Sequence, residues 1–152
     1  MKSSVTVFSS SSALTQRLGA AYAQSITAHT RRRAAIIFLQ GDLGSGKTTF
    51  VKGFLKAFGI VSRGASPTFV LMKHYPVRRR GKGVTHIYHY DAYRLSSARD
   101  LDVLGFSDAM RDRRAVILIE WPEKISSRTI HPTGRIRFAY GALPDERLLS
   151  FS

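Results

Sequence analysis

The chain has 152 residues, with 24 Lys and Arg against 10 Asp and Glu, a formal charge of +14. One domain over 1–152 is the default at this length, which suffices for a core without staples. The absence of Cys excludes disulfides and thiolate metal sites.

No apolar run reaches the length of a membrane span, and the N-terminus has one early Lys without a long apolar stretch. No signal peptide and no membrane partner are therefore expected, and the cytoplasm is the expected compartment. The positive charge favours anionic partners: nucleic acid, a phosphate-rich ligand or an acidic protein surface. It is clustered at Arg31–Arg33, Arg78–Lys82 and Arg111–Arg114, each between apolar segments, so these clusters belong to loops or element ends.

In chain order, Val5–Phe8 reads as a short strand, and the serines at 9–12 can cap a helix over 13–29, where Leu14, Leu18, Tyr22 and Ile26 recur at helical spacing. The arginine run at 31–33 is expected to end that helix. Ala34–Leu39 is a continuous apolar strand, as in a sheet covered on both faces. Gly41–Gly46 is a loop. Thr48–Phe58 is a helix with Val51, Phe54, Leu55 and Phe58 on one face and Gly59 as its stop. "TFVLMKHYPV" and "VTHIYHYDAY" flank "RRRGKG" as a β-hairpin with a cationic tip. "SSARDLDVLGFSDAM" predicts one or two short helices capped by Ser96 or Ser97. "AVILIE" is a second buried strand, and "GRIRFAYG" and "RLLSF" read as late edge strands.

The chemistry concentrates in "GDLGSGKTTF". Gly41, Gly46, Lys47 and Thr48 fit G-x-x-x-x-G-K-[ST], with a strand before and a helix after. The glycines let the backbone from Gly41 through Asp42, Leu43, Gly44, Ser45 and Gly46 wrap closely around phosphates. The helix start adds unpaired N–H groups and a positive dipole end. Lys47 is expected to reach the β- and γ-phosphates and Thr48 to place a hydroxyl on Mg²⁺. Such a site needs an acid at the end of a neighbouring strand. Glu120 ends "AVILIE" and fits, and Asp91 after "IYHY" is the second candidate, for a water or a metal-bound water. His74, His86, His89 and His131 offer no ligand set and read as strand surface. Ser66-Pro67-Thr68 could sense a γ-phosphate as a switch segment does. No arginine finger is evident, Arg63 and Arg94 being guesses.

"GDLGSGKTTFVKGFLKAFG", "SPTFVLMKHY", "IYHYDAYRL", "LDVLGFSDAM" and "LIEWPEK" occur in an order and spacing that resembles the bacterial TsaE (YjeE) family over about residues 5–140. These are the small P-loop ATPases of tRNA threonylcarbamoyladenosine biosynthesis. The resemblance implies a three-layer α/β P-loop NTPase fold with a mixed, mainly parallel central sheet and an antiparallel hairpin. It implies binding of ATP or ADP with Mg²⁺. It also implies work with a TsaB–TsaD pair, which modifies the adenosine next to the anticodon of tRNAs reading ANN codons. Carried over by position, Lys47 contacts phosphate, and Thr48 and Glu120 bind Mg²⁺. Thr49 and Asp91 contact the nucleotide or its water, Trp121 lies beside the site, and Ser11 and Ser12 fall near the adenine. The "RRRGKG" tip is not part of the family pattern. Two rival readings are a small-molecule or nucleoside kinase, which shares the loop and Asp91–Arg94, and a nucleic-acid-binding module with a vestigial loop, based on the charge of +14.

Overall fold

The computed structural model describes residues 4–26, 32–62, 70–78, 83–125 and 130–152. Seven strands form one sheet: β1 (Val5–Ser9), β2 (Ala35–Gln40), β3 (Met72–Pro76), β4 (His86–Asp91), β5 (Ala115–Glu120), β6 (Gly134–Tyr140) and β7 (Arg147–Phe151), in the order β1-β7-β6-β2-β5-β4-β3. The central ladders β6–β2, β2–β5 and β5–β4 are parallel. The flanking ladders β1–β7, β7–β6 and β4–β3 are antiparallel. β2 and β5 are apolar almost throughout because both of their faces are covered, with only Gln40 partly open.

Helices α1 (Ser12–Ser25) and α2 (Lys47–Ala57) cover one face, and α3 (Ala98–Val103) and α4 (Phe106–Arg111) the other. This makes three layers with a core on each side of the sheet. Ile37, Leu39, Val116 and Leu118 point toward α1 and α2, where Phe50 and Phe54 are fully buried. Ile36, Phe38, Ile117 and Ile119 point to the opposite core with Leu101 and Phe106. The alternation of the strands thus assigns every second residue to one layer. α1 and α2 pack with little space between them: a Cβ at Gly53 would strike the Gln16 backbone, and one at Gly19 the Phe50 carbonyl.

The expected helix over 13–29 stops earlier. Ser25 Oγ donates to the Tyr22 carbonyl at 2.7 Å, and Ile26 turns extended and buries itself in the core. Ser11 is the N-cap, with its hydroxyl accepting from the Leu14 N–H at 3.2 Å. The two short helices after the hairpin are both present, and Ser97 with Asp100 forms a capping box. The late strands are not edge strands. β6 lies between β2 and β7, and β7 between β6 and β1, so β1 and β3 are the edges. The alternating burial of β6 reflects a sheet covered there on one face only. The β3–β4 hairpin forms as expected; its tip at 79–82 and the Ser66-Pro67-Thr68 segment lie outside the described residues.

Candidate functional site

The loop leaves the carboxyl end of β2 and enters α2. Gly46 has φ 103° and occupies the N-cap of α2 with no side-chain cap. The first N–H groups of the helix therefore face the loop without an internal partner. At Gly41, φ is 151°, and a Cβ would lie 2.6 Å from the Phe138 carbonyl. Only glycine lets this backbone pass so close to β6.

Lys47 is almost fully buried, and its Nζ donates to the carbonyls of Gly41 at 2.6 Å and Asp42 at 2.9 Å. The ammonium also sits 4.1 Å from the centroid of the Trp121 ring. Burial pulls its pKa below the ordinary lysine value, and Glu120, Glu123, Asp91 and Asp42 oppose that pull. Trp121 reaches the lysine because it turns sharply off β5 at φ 57°, a conformation bulky residues avoid. Its N–H still bonds the Leu39 carbonyl at 3.2 Å, which fixes the turn.

Asp91 and Glu120 end β4 and β5 as in-register neighbours, and both are buried. Asp91 Oδ1 caps the following 3₁₀ turn by accepting from the Tyr93 N–H at 3.0 Å. Glu120 Oε1 lies 2.8 Å from His89 Nε2, with side-chain exposures of 3% for His89 and 4% for Glu120. His89 is thus not a surface residue, contrary to expectation. It stands two residues before Asp91 and faces the same layer.

These residues line a cleft of about 440 Å³ whose walls include Lys47, Thr48, Thr49, Asp91, Glu120 and Trp121. Gly44, Gly46 and Leu43 contribute the loop side. Ser12 lines the cleft, whereas Ser11 is committed to capping α1. Ser45 Oγ is buried without a hydrogen-bond partner. Arg94 is exposed on the 3₁₀ turn, and Arg63 lies outside the described residues.

Sequence reasoning missed the brace behind the loop. Arg147, at the start of β7, also lines the cleft. It donates to the Gly44 carbonyl at 3.0 Å, the Pro144 carbonyl at 2.6 Å and the Glu146 carbonyl at 2.7 Å. Its guanidinium lies 4.9 Å from the Tyr140 ring centroid, and the Tyr140 hydroxyl donates to the Leu43 carbonyl. The β6–β7 hairpin thereby holds the outer half of the loop from behind.

The donor set suits a hard cation and an anionic ligand. Thr48 and Glu120 offer oxygens, and no group of three or more His, Asp or Glu able to hold a metal converges among the described residues. One carboxylate and one hydroxyl, completed by phosphate oxygens and water, match the demands of Mg²⁺. The glycine cradle, the uncapped helix start, Lys47 and the unpartnered Ser45 hydroxyl match phosphate.

The three layers, the mixed sheet parallel at its centre and the glycine loop between β2 and α2 define an α/β protein with the P-loop NTPase fold. The family model described as "Threonylcarbamoyl adenosine biosynthesis protein TsaE" matches residues 9–147. The chain belongs to the TsaE family. It is 36% identical over 108 residues to a tRNA threonylcarbamoyladenosine biosynthesis protein TsaE of Haemophilus influenzae, covering 71% of this chain and 65% of that protein. A Bacillus subtilis protein of the same name is 34% identical over 128 residues, 84% of this chain and 75% of the relative. The crystal structure of Bacillus YdiB superimposes with a TM-score of 0.72 at 26% identity, covering 99% of this chain and 86% of that one. No helix among the described residues is long and apolar enough to cross a membrane.

Proposed function

We propose that the chain is a Mg²⁺-dependent ATPase acting in tRNA threonylcarbamoyladenosine modification, as a nucleotide switch on a TsaB–TsaD-like transferase complex. One observation carries the reading: Lys47, Thr48, Asp91 and Glu120 converge in a single cleft at the carboxyl end of the sheet. Ligands bind at that edge in folds of this kind.

Within it the chain's own residues divide the work. The backbone N–H groups of Gly44–Thr49 and the start of α2 hold the phosphates. Lys47 exchanges its loop carbonyls for phosphate oxygens and balances negative charge where the reaction builds it. Thr48 Oγ1 and Glu120 would hold Mg²⁺, which when bound neutralises charge on the β- and γ-phosphate oxygens. Asp91, beside Glu120, orients the attacking water. Ser12 and Arg147 border the part of the cleft away from the acids, on the side left for the nucleoside.

The chain beyond β5 disfavours the kinase reading. The described residues there form one 3₁₀ turn and the β6–β7 hairpin, with no helical lid to close over an acceptor. Among the described residues no arginine beyond the loop-bracing Arg147 lines the cleft, so hydrolysis by the isolated chain is expected to be slow. Partners that exclude water from the cleft should accelerate it. Phosphate release is to be measured for the chain alone, then with its TsaB–TsaD-like pair, across salt concentrations. Acceleration that fades with salt supports the switch. Fast turnover by the isolated chain, unchanged by partners, would return the kinase reading to first place.

A further inference from the structure

Three stretches of arginine far apart in sequence meet at the amino ends of the parallel strands. Arg32 and Arg33 precede β2, Arg78 follows β3, and Arg111, Arg113 and Arg114 precede β5. All six side chains are exposed. Backbone bonds join these loops: Ala34 N–H to Met110 at 3.0 Å, Thr85 N–H to Arg114 at 2.9 Å and Val77 N–H to Thr85 at 2.8 Å. Arg114 Nε adds a 3.4 Å contact to the Gly83 carbonyl. The acids in this region are already engaged. Asp108 pairs with Arg111 at 3.3 Å, and Asp112 accepts the Arg114 N–H at 2.8 Å.

Beside the arginines is an aromatic group. The His74 ring stacks on Tyr88 with centroids 4.6 Å apart and planes at 14°, and its Nε2 lies 2.9 Å from His86 Nδ1. His86 is in register with Ala115, the residue after Arg114. His74 itself is exposed. Burial and His86 both lower its pKa, which disfavours the charged form of the ring. Flat rings among arginines suit nucleobases between phosphates, whereas an acidic protein surface would use the charge alone.

We propose that this end of the sheet is an RNA-docking surface, in which the arginines take phosphates and the His74–Tyr88 stack takes an unpaired base. The surface lies one strand length, roughly 20 Å, from the nucleotide cleft. The inference goes beyond the ATPase reading and does not depend on it.

The test uses the full chain and a fluorescein-labelled, unmodified tRNA transcript, with binding followed by anisotropy across salt. We expect affinity to fall with a log–log slope of about −2 to −4, as for several phosphate contacts. Arg32→Glu with Arg113→Glu should weaken binding more than tenfold and flatten the slope, since neither residue is buried. His74→Ala should cost at least about fivefold. Mg·ATP-induced Trp121 fluorescence should stay as in wild type in both variants, which separates loss of this surface from loss of the cleft or of the fold. Unchanged tRNA affinity in the arginine variant overturns the proposal. So does displacement of tRNA by polyglutamate at equal charge together with a silent His74→Ala, which would assign the surface to an acidic protein.

Discussion

The His89–Glu120 contact lends itself to a quantitative test. Both side chains are almost completely buried and their atoms are 2.8 Å apart. Replacing His89 with Leu fills similar space but leaves Glu120 Oε1 buried without its partner. Stranding one member of a buried polar pair costs about 1–3 kcal/mol, and more when the survivor is charged. On a domain of this size, about 2 kcal/mol corresponds to roughly 4–8 °C in Tm. Replacing both residues with Leu removes the orphan and should recover most of the loss, giving a coupling energy of about 1–3 kcal/mol in a double-mutant cycle. His89→Gln keeps an N–H donor and should fall between wild type and His89→Leu. Under the proposed Mg²⁺ role of Glu120 the pair also has a functional side, because a residue that orients a metal-binding carboxylate typically contributes roughly 10–100-fold in metal affinity. Urea unfolding supplies the stability arm, and titration of Mg²⁺ into nucleotide-bound protein, followed by Trp121 fluorescence, supplies the affinity arm. If His89→Leu unfolds within about 0.5 kcal/mol of wild type and binds Mg²⁺ as tightly, the contact neither orients nor stabilises Glu120.

Other perturbations probe the remaining parts of the cleft. Lys47→Ala should abolish hydrolysis and weaken ATP more than ADP, and undiminished phosphate release would remove Lys47 from the site. Because burial lowers the Lys47 pKa in the folded state, the penalty for its charge is fully present at neutral pH. That penalty is relieved as pH rises through the folded pKa toward the ordinary value of 10.5, so urea melts should show wild type gaining on Lys47→Ala over that window. Glu120→Ala and Asp91→Ala should each cut turnover by orders of magnitude while keeping some ATP binding; normal hydrolysis by Asp91→Ala would reduce Asp91 to the cap of its 3₁₀ turn. Mg·ATP should change Trp121 emission more than ATP without Mg²⁺, since the indole lies over Lys47 and follows Glu120; a flat titration would argue against Glu120 at the site. Tyr140→Phe removes the hydroxyl held by the Leu43 carbonyl and should weaken nucleotide binding several-fold without changing the unfolding free energy by more than about 1 kcal/mol.

What could be read from sequence was what is local. The apolar run at 34–39, the glycine loop and the amphipathic helix after it lie within about two dozen residues, and each announces itself by composition or period. The place of Glu120 at the end of β5 was legible because it ends a second apolar run of the same kind. His89 was not, because nothing in "IYHYD" distinguishes a histidine facing water from one facing a neighbouring strand. Its burial follows from β4 lying beside β5, a pairing of residues about 30 apart. The misreading of β6 and β7 as edges has the same origin. Their alternation shows one covered face, but only the strand order shows that β1 returns to pair beyond them. The Arg147 and Tyr140 brace depends on that order too, since it exists only because β6 runs alongside β2 and brings the hairpin behind the loop.

Strand parity connects the fold to the cleft. Leu118 and Glu120 alternate with Ile117 and Ile119, so Glu120 inherits the layer of α1 and α2, where the loop and Lys47 lie. On β4, Ile87 faces that same layer, and His89 and Asp91 come after it at intervals of two. In-register parallel pairing then sets Asp91 beside Glu120 and His89 on the diagonal. A slip of one residue in β5 would turn Glu120 into the α3–α4 core, a buried carboxylate against apolar side chains such as Ile36 and Phe38. The apolar residues that fix the register are therefore also what aims the acids. Because β5 is apolar up to its last residue, the first polar side chain of the strand appears at its carboxyl end, on the face where the loop begins.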